Sequence, residues 1–236
     1  MSPAVRGIIT RRILVNYSVD LRNLESVLPE PFECREVGDW GRGIGTVSFA
    51  RIEKARPRFT PKAAGISFES ATHRVSAVRE TESGEVDCVY VPRRDVSSRV
   101  CAAAGESLLP AEIDCADFRV EERNGVCRLR VDCGDWFAGV EVHETDRDEV
   151  REDSVFGSLV EASRFFCEGG VEYSPSGDRY DGVELCPREW EMEPVEVIEA
   201  QSRFFEKLDG VLDSAYRMED IEHEWRPRSS LITSKR

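Results

Sequence analysis

Lysine is nearly missing from this chain. It occurs at Lys54, Lys62, Lys207 and Lys235, and every other basic side chain apart from histidine is an arginine. A mechanism that needs an amine nucleophile therefore has four positions to choose from. Histidine is scarcer still, and none of the three lies at metal-ligand spacing from the eight cysteines, which form no Cys-x-x-Cys pair. No metal or other cofactor is expected, and the cysteines read as reduced core residues. No apolar run approaches membrane-spanning length, and Met1–Arg6 lacks the apolar core of a signal peptide. The expectation is a cytoplasmic protein with no membrane partner. There is no Gly-x-Ser-x-Gly elbow and no Cys/His/Asp arrangement, which makes serine or cysteine catalysis a distant reading.

Acid is abundant. Asp and Glu number 46 against 32 Lys and Arg, a formal net charge of −14. An acidic, lysine-poor surface is what a high-salt cytoplasm favours, because screening there shortens like-charge repulsion to a few Å. A GC-rich genome explains the missing lysine but not the excess acid. The charge argues against a nucleic-acid partner. The length fits one core, and a single domain over residues 1–227 is expected, followed by a polar tail at 228–236.

Strand patterns occur at 5–18, 43–53, 66–79, 86–91, 113–121, 126–133, 136–142, 171–173, 183–186 and 220–225. Asn124-Gly125 marks a hairpin turn, and Cys127, Leu129, Val131 and Cys133 alternate inward after it. Helices are predicted after Asp20, after Asp95 beyond a strand-ending Pro92, from Val155 to about Cys167 behind a Ser154 cap, and around Glu199–Phe205. Trp190 and Met192 are expected to point inward as core. Many strands and few short helices, in no regular alternation, argue for an α+β fold on a curved, largely antiparallel sheet. The acidic run His143–Asp153 reads as a solvated loop rather than a cation site.

The segment Gly65–Glu112 carries the functional argument. Strand period two places Glu69, Ala71, His73, Val75 and Ala77 on one face, read here as the inward one. A carboxylate and an imidazole on a partly buried surface are candidate site residues, since burial shifts both pKa values. Glu69 fits an ordinary strand-edge position equally well, His73 reads more readily as a structural histidine, and Tyr90 as core. The order of a strand with Glu69, a hairpin, a strand ending in Tyr90-Val91, a small helix with Ala103-Ala104-Gly105-Glu106, and Leu108-Leu109-Pro110 resembles the acetoacetate decarboxylase-like superfamily. It is nearest the uncharacterised YqjF-like branch, whose opening is echoed by Val19-Asp20, Leu24 and Leu28-Pro29. The resemblance implies a half-closed barrel or cone with a central pocket, and permits a homo-oligomer. In the decarboxylases two lysines follow this proline, one of which forms the Schiff base; here Pro110 is followed by Ala111 and Glu112. The resemblance thus implies a small organic ligand of keto or carboxylate type, handled without Schiff-base chemistry. Glu69 is the candidate general acid or base of a lyase- or isomerase-type reaction, and His73, Arg74, Tyr90, Arg99 and Glu112 are candidate ligand-binding residues. The alternative is a non-catalytic carrier or protein-interaction module on the same fold.

Overall fold

The computed structural model describes residues 4–38, 41–108 and 112–232, with side chains for all of these except 104–108. Thirteen strands and four short helices follow in the order β1 (Val5–Asp20), α1 (Leu21–Glu25), β2 (Phe32–Cys34), β3 (Arg42–Pro57), β4 (Ile66–Thr81), β5 (Gly84–Val96), α2 (Arg99–Leu108), β6 (Asp114–Cys115), β7 (Asp117–Arg123), β8 (Val126–Asp132), β9 (Ala138–Glu144), α3 (Leu159–Glu168), β10 (Val171–Ser176), β11 (Arg179–Pro187), β12 (Glu193–Ser202), α4 (Arg203–Glu206) and β13 (Val211–Ile232).

Seven strands pair in the sequence β1–β3–β4–β5–β10–β11–β13, and β13 pairs again with β1, so the pairing runs round a ring. All of its ladders are antiparallel except β5–β10, which is parallel. One face of the ring strands contributes Leu14, Ala50, Phe68, Val96, Val183, Met218 and Trp225 to a single apolar core together with Phe165 of α3 and Met192. Members from all round the ring meet there, so this face is the inside. The opposite face of β1, β3 and β4 carries Ile13, Val15, Val47, Phe49, Ala71 and Val75, which pack against Leu129, Val131 and Val140. Those last residues belong to a second antiparallel sheet, β12–β9–β8–β7, joined to the ring where β12 pairs with β13 at Glu193–Arg217 and Pro194–Tyr216. Strand β4 is consequently buried on both faces between Ser70 and Val78, apart from Arg74.

Local signals explain most elements. Asp20 caps α1, its carboxylate accepting the Arg22 N–H at 2.9 Å. Asn124 and Gly125 take φ of 53° and 75°, the left-handed pair a tight hairpin needs. Met192 is buried and Trp190 packs against the core, as expected, although 188–192 is not a strand.

The fold departs from the sequence reading in five places. β5 does not stop at Pro92. Tyr90 pairs with Val75 and Arg93 with His73, so Val91 and Pro92 together oppose Arg74 in a bulge, where proline's missing N–H matters least. Asp95 is therefore a strand residue gripped by Arg93, and Ser98 accepts the Cys101 N–H at the start of α2. α3 begins behind Ser158, not Ser154, whose hydroxyl bonds Asp213 instead. Residues 193–202, read partly as helix, form β12, because pairing with β9 overrides a short amphipathic pattern. Residues 228–232, read as tail, extend β13 along β11.

Gly45 lets α4 dock on the outer face of β3, since a Cβ there meets Phe205 Cε1 at 2.0 Å. Gly45→Ala is expected to lower stability by about 1–3 kcal/mol through overpacking. Urea unfolding should show a lower midpoint with an unchanged slope.

Candidate functional site

Alternation along β4 sorts its polar residues into two groups. Ser70, Thr72, Arg74 and Ser76 face the inside of the ring, whereas Glu69 and His73 face the second sheet. Inside, Arg74 Nη2 donates to Glu172 Oε1 at 2.6 Å and Arg94 Nη2 donates to Glu172 Oε2 at 2.7 Å. Arg12 lies beside them, its Nε donating to Ser48 Oγ at 3.1 Å and its Cζ 5.8 Å from the centre of the Trp190 ring. Thr46, Asn16 and Ser214 continue the polar lining through hydrogen bonds of 2.9 and 3.2 Å. Three guanidinium groups thus share one buried carboxylate.

The electrostatics follow from that ratio. Burial opposes ionisation of Glu172, but Arg74, then Arg94 and Arg12, override it and hold the carboxyl down at about 2. Among the described residues Arg12 pairs with no carboxylate of its own, and burial together with Arg74 pushes its guanidinium down to about 9. Arg12 Nη1, Arg94 Nε and Trp190 Nε1 are buried N–H groups with no hydrogen-bond partner among the described residues. Buried donors are ordinarily satisfied. An acceptor carrying negative charge is the chemical complement of this set. A hollow of about 20 Å³ bordered by Arg12, Thr46, Arg74, Phe165, Phe166 and Trp190 has room for about one water. The imidazole of His223 is also buried; its Nδ1 faces the Ile221 carbonyl at 3.1 Å and so carries the proton. Burial pushes that histidine down to about 4, with Arg12 contributing.

Of the residues singled out from the sequence, Arg74 alone joins this group. Glu69 Oε2 accepts from Arg11 Nη2 at 2.5 Å and its Oε1 lies 3.5 Å from Arg51 Nη1, on the side of β4 away from Arg74. Burial pushes its carboxyl above the usual range against the pull of both arginines. His73 is fully buried among Trp136, Phe204 and Phe205, at ring distances of 5.3, 5.8 and 6.2 Å. Neither of its nitrogens has a hydrogen-bond partner among the described residues, and burial, then Arg93, push it down to about 3, so it is neutral. Tyr90 meets Phe32 at a tilt and Tyr180 edge-on outside the ring, and burial raises its hydroxyl to about 12. Arg99 is exposed, as is Glu112, whose Oε1 accepts the Gly177 N–H at 3.4 Å. Leu109, Pro110 and Ala111 lie outside the described residues.

Sequence reasoning missed Arg12, Arg94, Glu172 and Trp190. One signal was available: Ser70, Thr72, Arg74 and Ser76 form an unbroken polar stripe in a strand otherwise apolar enough to be central.

No protein-family model matches the chain, and no curated protein matches it in sequence. Solved structures do match it in shape. An acetoacetate decarboxylase from Legionella pneumophila superposes with a TM-score of 0.63 over 99% of this chain and 88% of its own, at 10% identity. The chain has the acetoacetate decarboxylase-like fold. An acetoacetate decarboxylase-like enzyme from Sphingomonas wittichii RW1 gives 0.62 over 100% and 94%, at 8% identity. The enduracididine biosynthesis enzyme MppR, complexed with pyruvate, gives 0.57 over 99% and 92%, at 12% identity. The curved sheet with few short helices agrees with the α+β reading of the sequence patterns, and its ring-like course with what the resemblance implies.

Removing the carboxylate from the ring interior tests the cluster. Glu172→Gln should cost about 3–5 kcal/mol, because the buried Arg12 and the part-buried Arg74 and Arg94 lose their counter-charge. The folded carboxyl titrates near 2 and an unfolded one near about 4.3, so its contribution is complete above the higher value. It is lost as pH falls from about 5 towards 2. Urea unfolding across that range should show a steep acid limb in the native chain and a shallower one in the variant.

Proposed function

We propose that the chain binds a small organic carboxylate, of the 2-oxo acid class, inside the ring. The observation that carries this is the surplus of buried cation: Arg12, Arg74 and Arg94 around Glu172, with N–H groups left open on Arg12, Arg94 and Trp190. A ligand carboxylate accepts from Arg12 Nη1 and Trp190 Nε1 and balances charge that the protein itself leaves unbalanced. The pyruvate complex of MppR, on the same fold, supports the choice of ligand class. The present hollow is smaller than a keto acid, so entry requires Trp190 to swing on the non-regular segment 188–192, or the phenylalanines of α3 to yield.

The reading dispenses with a Schiff base. Lysine is missing after Pro110, and among the described residues no lysine touches the cluster: Lys54 and Lys62 border a separate groove and Lys207 follows α4. Any chemistry then falls to acid–base groups. Glu172 is held ionised by its arginines and suits binding and orientation better than proton transfer. Glu69, on the other face, keeps a carboxyl raised by burial but meets Arg11 and Arg51 rather than a hollow. A carrier that binds without turnover satisfies the same geometry.

Calorimetric titration with pyruvate and longer 2-oxo acids tests the site. Arg12→Met removes an unpartnered buried charge, so its unfolding temperature should match or exceed that of the native chain, while ligand affinity drops on the order of a hundredfold. Glu69→Gln should leave affinity unchanged; loss of binding in that variant moves the site to the outer face. Borohydride added with pyruvate should leave the protein mass unaltered, and reductive capture of any lysine overturns the mechanism without an imine.

A further inference from the structure

Two of the four lysines in the chain border a single groove of about 530 Å³ at the end of the ring where β1 starts and β3 stops. Arg6, Arg56, Arg188 and Arg226 line the same groove, against the carboxylates of Glu222 and Glu224. Both carboxylates are already engaged. Glu224 meets Arg6 at 2.9 Å, Arg226 at 3.0 Å and Arg58 at 3.7 Å, and Glu222 meets Arg188 at 2.7 Å. Lys54, Lys62 and Arg56 have no carboxylate partner among the described residues. Arg56 is nonetheless fixed, because its Nε donates to the Thr60 carbonyl at 3.2 Å and its Nη1 to the Lys54 carbonyl at 2.7 Å. A guanidinium held at two nitrogens by carbonyls has a fixed aim. This concentration of cation stands on a chain whose net charge is −14.

The backbone supplies an independent observation. Lys54 has φ of 54°, in the left-handed region that glycine and asparagine occupy at least cost. It sits in a bulge, where β3 slips register against β4 between Ile52 and Ala55. Gly65 crosses directly over it, and a Cβ there meets the Lys54 backbone at 2.6 Å. The fold needs a left-handed residue at 54 but not a lysine. A strained lysine in a lysine-poor chain, presented to a cationic groove, points to a role for its ammonium.

We propose that this groove is a second anion site, distinct from the ring interior, that takes the phosphomonoester group of a small soluble molecule. Ammonium point charges beside a fixed guanidinium suit a tetrahedral dianion. A nucleic-acid chain or an anionic membrane is disfavoured, because the acidic surface repels either one beyond the groove.

Glycerol 3-phosphate is the probe. Titration of the full chain at constant ionic strength, followed by phosphorus NMR and calorimetry, should give saturable binding with one site per chain. Lys54→Asn/Lys62→Asn should weaken it on the order of tenfold or more. The single Lys54→Asn variant should unfold at the same temperature as the native chain or higher, since asparagine tolerates the left-handed backbone better. Arg12→Met should leave phosphate binding intact, which separates failure here from failure of the carboxylate site. Absence of saturation, equal displacement by chloride, or full affinity in the double variant overturns the proposal.

Discussion

The grip of Arg74 and Arg94 on Glu172 is the constraint on which the ring depends. The parallel seam between β5 and β10 is the shortest in the ring, with Glu172 opposite Val89 and Tyr173 opposite Tyr90. So few ladder bonds give little register control. Arg74 on β4 and Arg94 on β5 reach across this seam to a carboxylate on β10, so ion pairs fix what the ladder leaves loose. A buried pair of this kind is weak evidence for added stability but good evidence for a specified arrangement, because any slipped register strands charges in the interior. The third guanidinium, Arg12, lies beyond what the seam needs. Its Nη1 is a buried donor with no hydrogen-bond partner among the described residues, and the proposed carboxylate site rests on that surplus.

Strand β4 shows how a strand buried on both faces does two jobs. Its inner face carries the hydroxyl-and-arginine stripe; its outer face carries Ala71 and Val75 into the interface with the second sheet, with Glu69 at the margin of that interface. His73 is the odd member. An imidazole walled in by aromatic rings, with no hydrogen bond, is held neutral by burial and acts as one more ring in the stack. The same alternation thus yields two polar faces of different chemistry: inside, arginines share one carboxylate, while outside Glu69 meets Arg11 and Arg51 and His73 meets aromatic rings.

That double burial also explains what was legible from sequence. Strand positions, the Asn124-Gly125 hairpin and the Asp20 cap each rest on local chemistry, and each stands in the structure. The sidedness of β4 does not. When both faces are buried, apolar residues such as Ala71 and Phe68 appear on both, and period two no longer says which side encloses a hollow. Glu69 and His73 were assigned inward on that ambiguous pattern. Arg12, Arg94 and Glu172 come from three other strands, and nothing at the sequence level announces that a ring will bring them together. Pro92 misled for a related reason: a stop signal in isolation is tolerated at a bulge, and the bulge exists only once β4 is alongside.

The pairing of β1 with β13 has a consequence for how the molecule comes into being. The first strand pairs with β3 along one edge and meets β13 only along the other, from Val5 opposite Trp225 to Ser18 opposite Val211. A partly folded chain in which β13 has not yet docked therefore carries one open sheet edge on β1. Arg12 lies on that first strand. Topologies whose defining contacts join distant segments assemble slowly, and closing this ring joins residues as far apart as Val5 and Trp225.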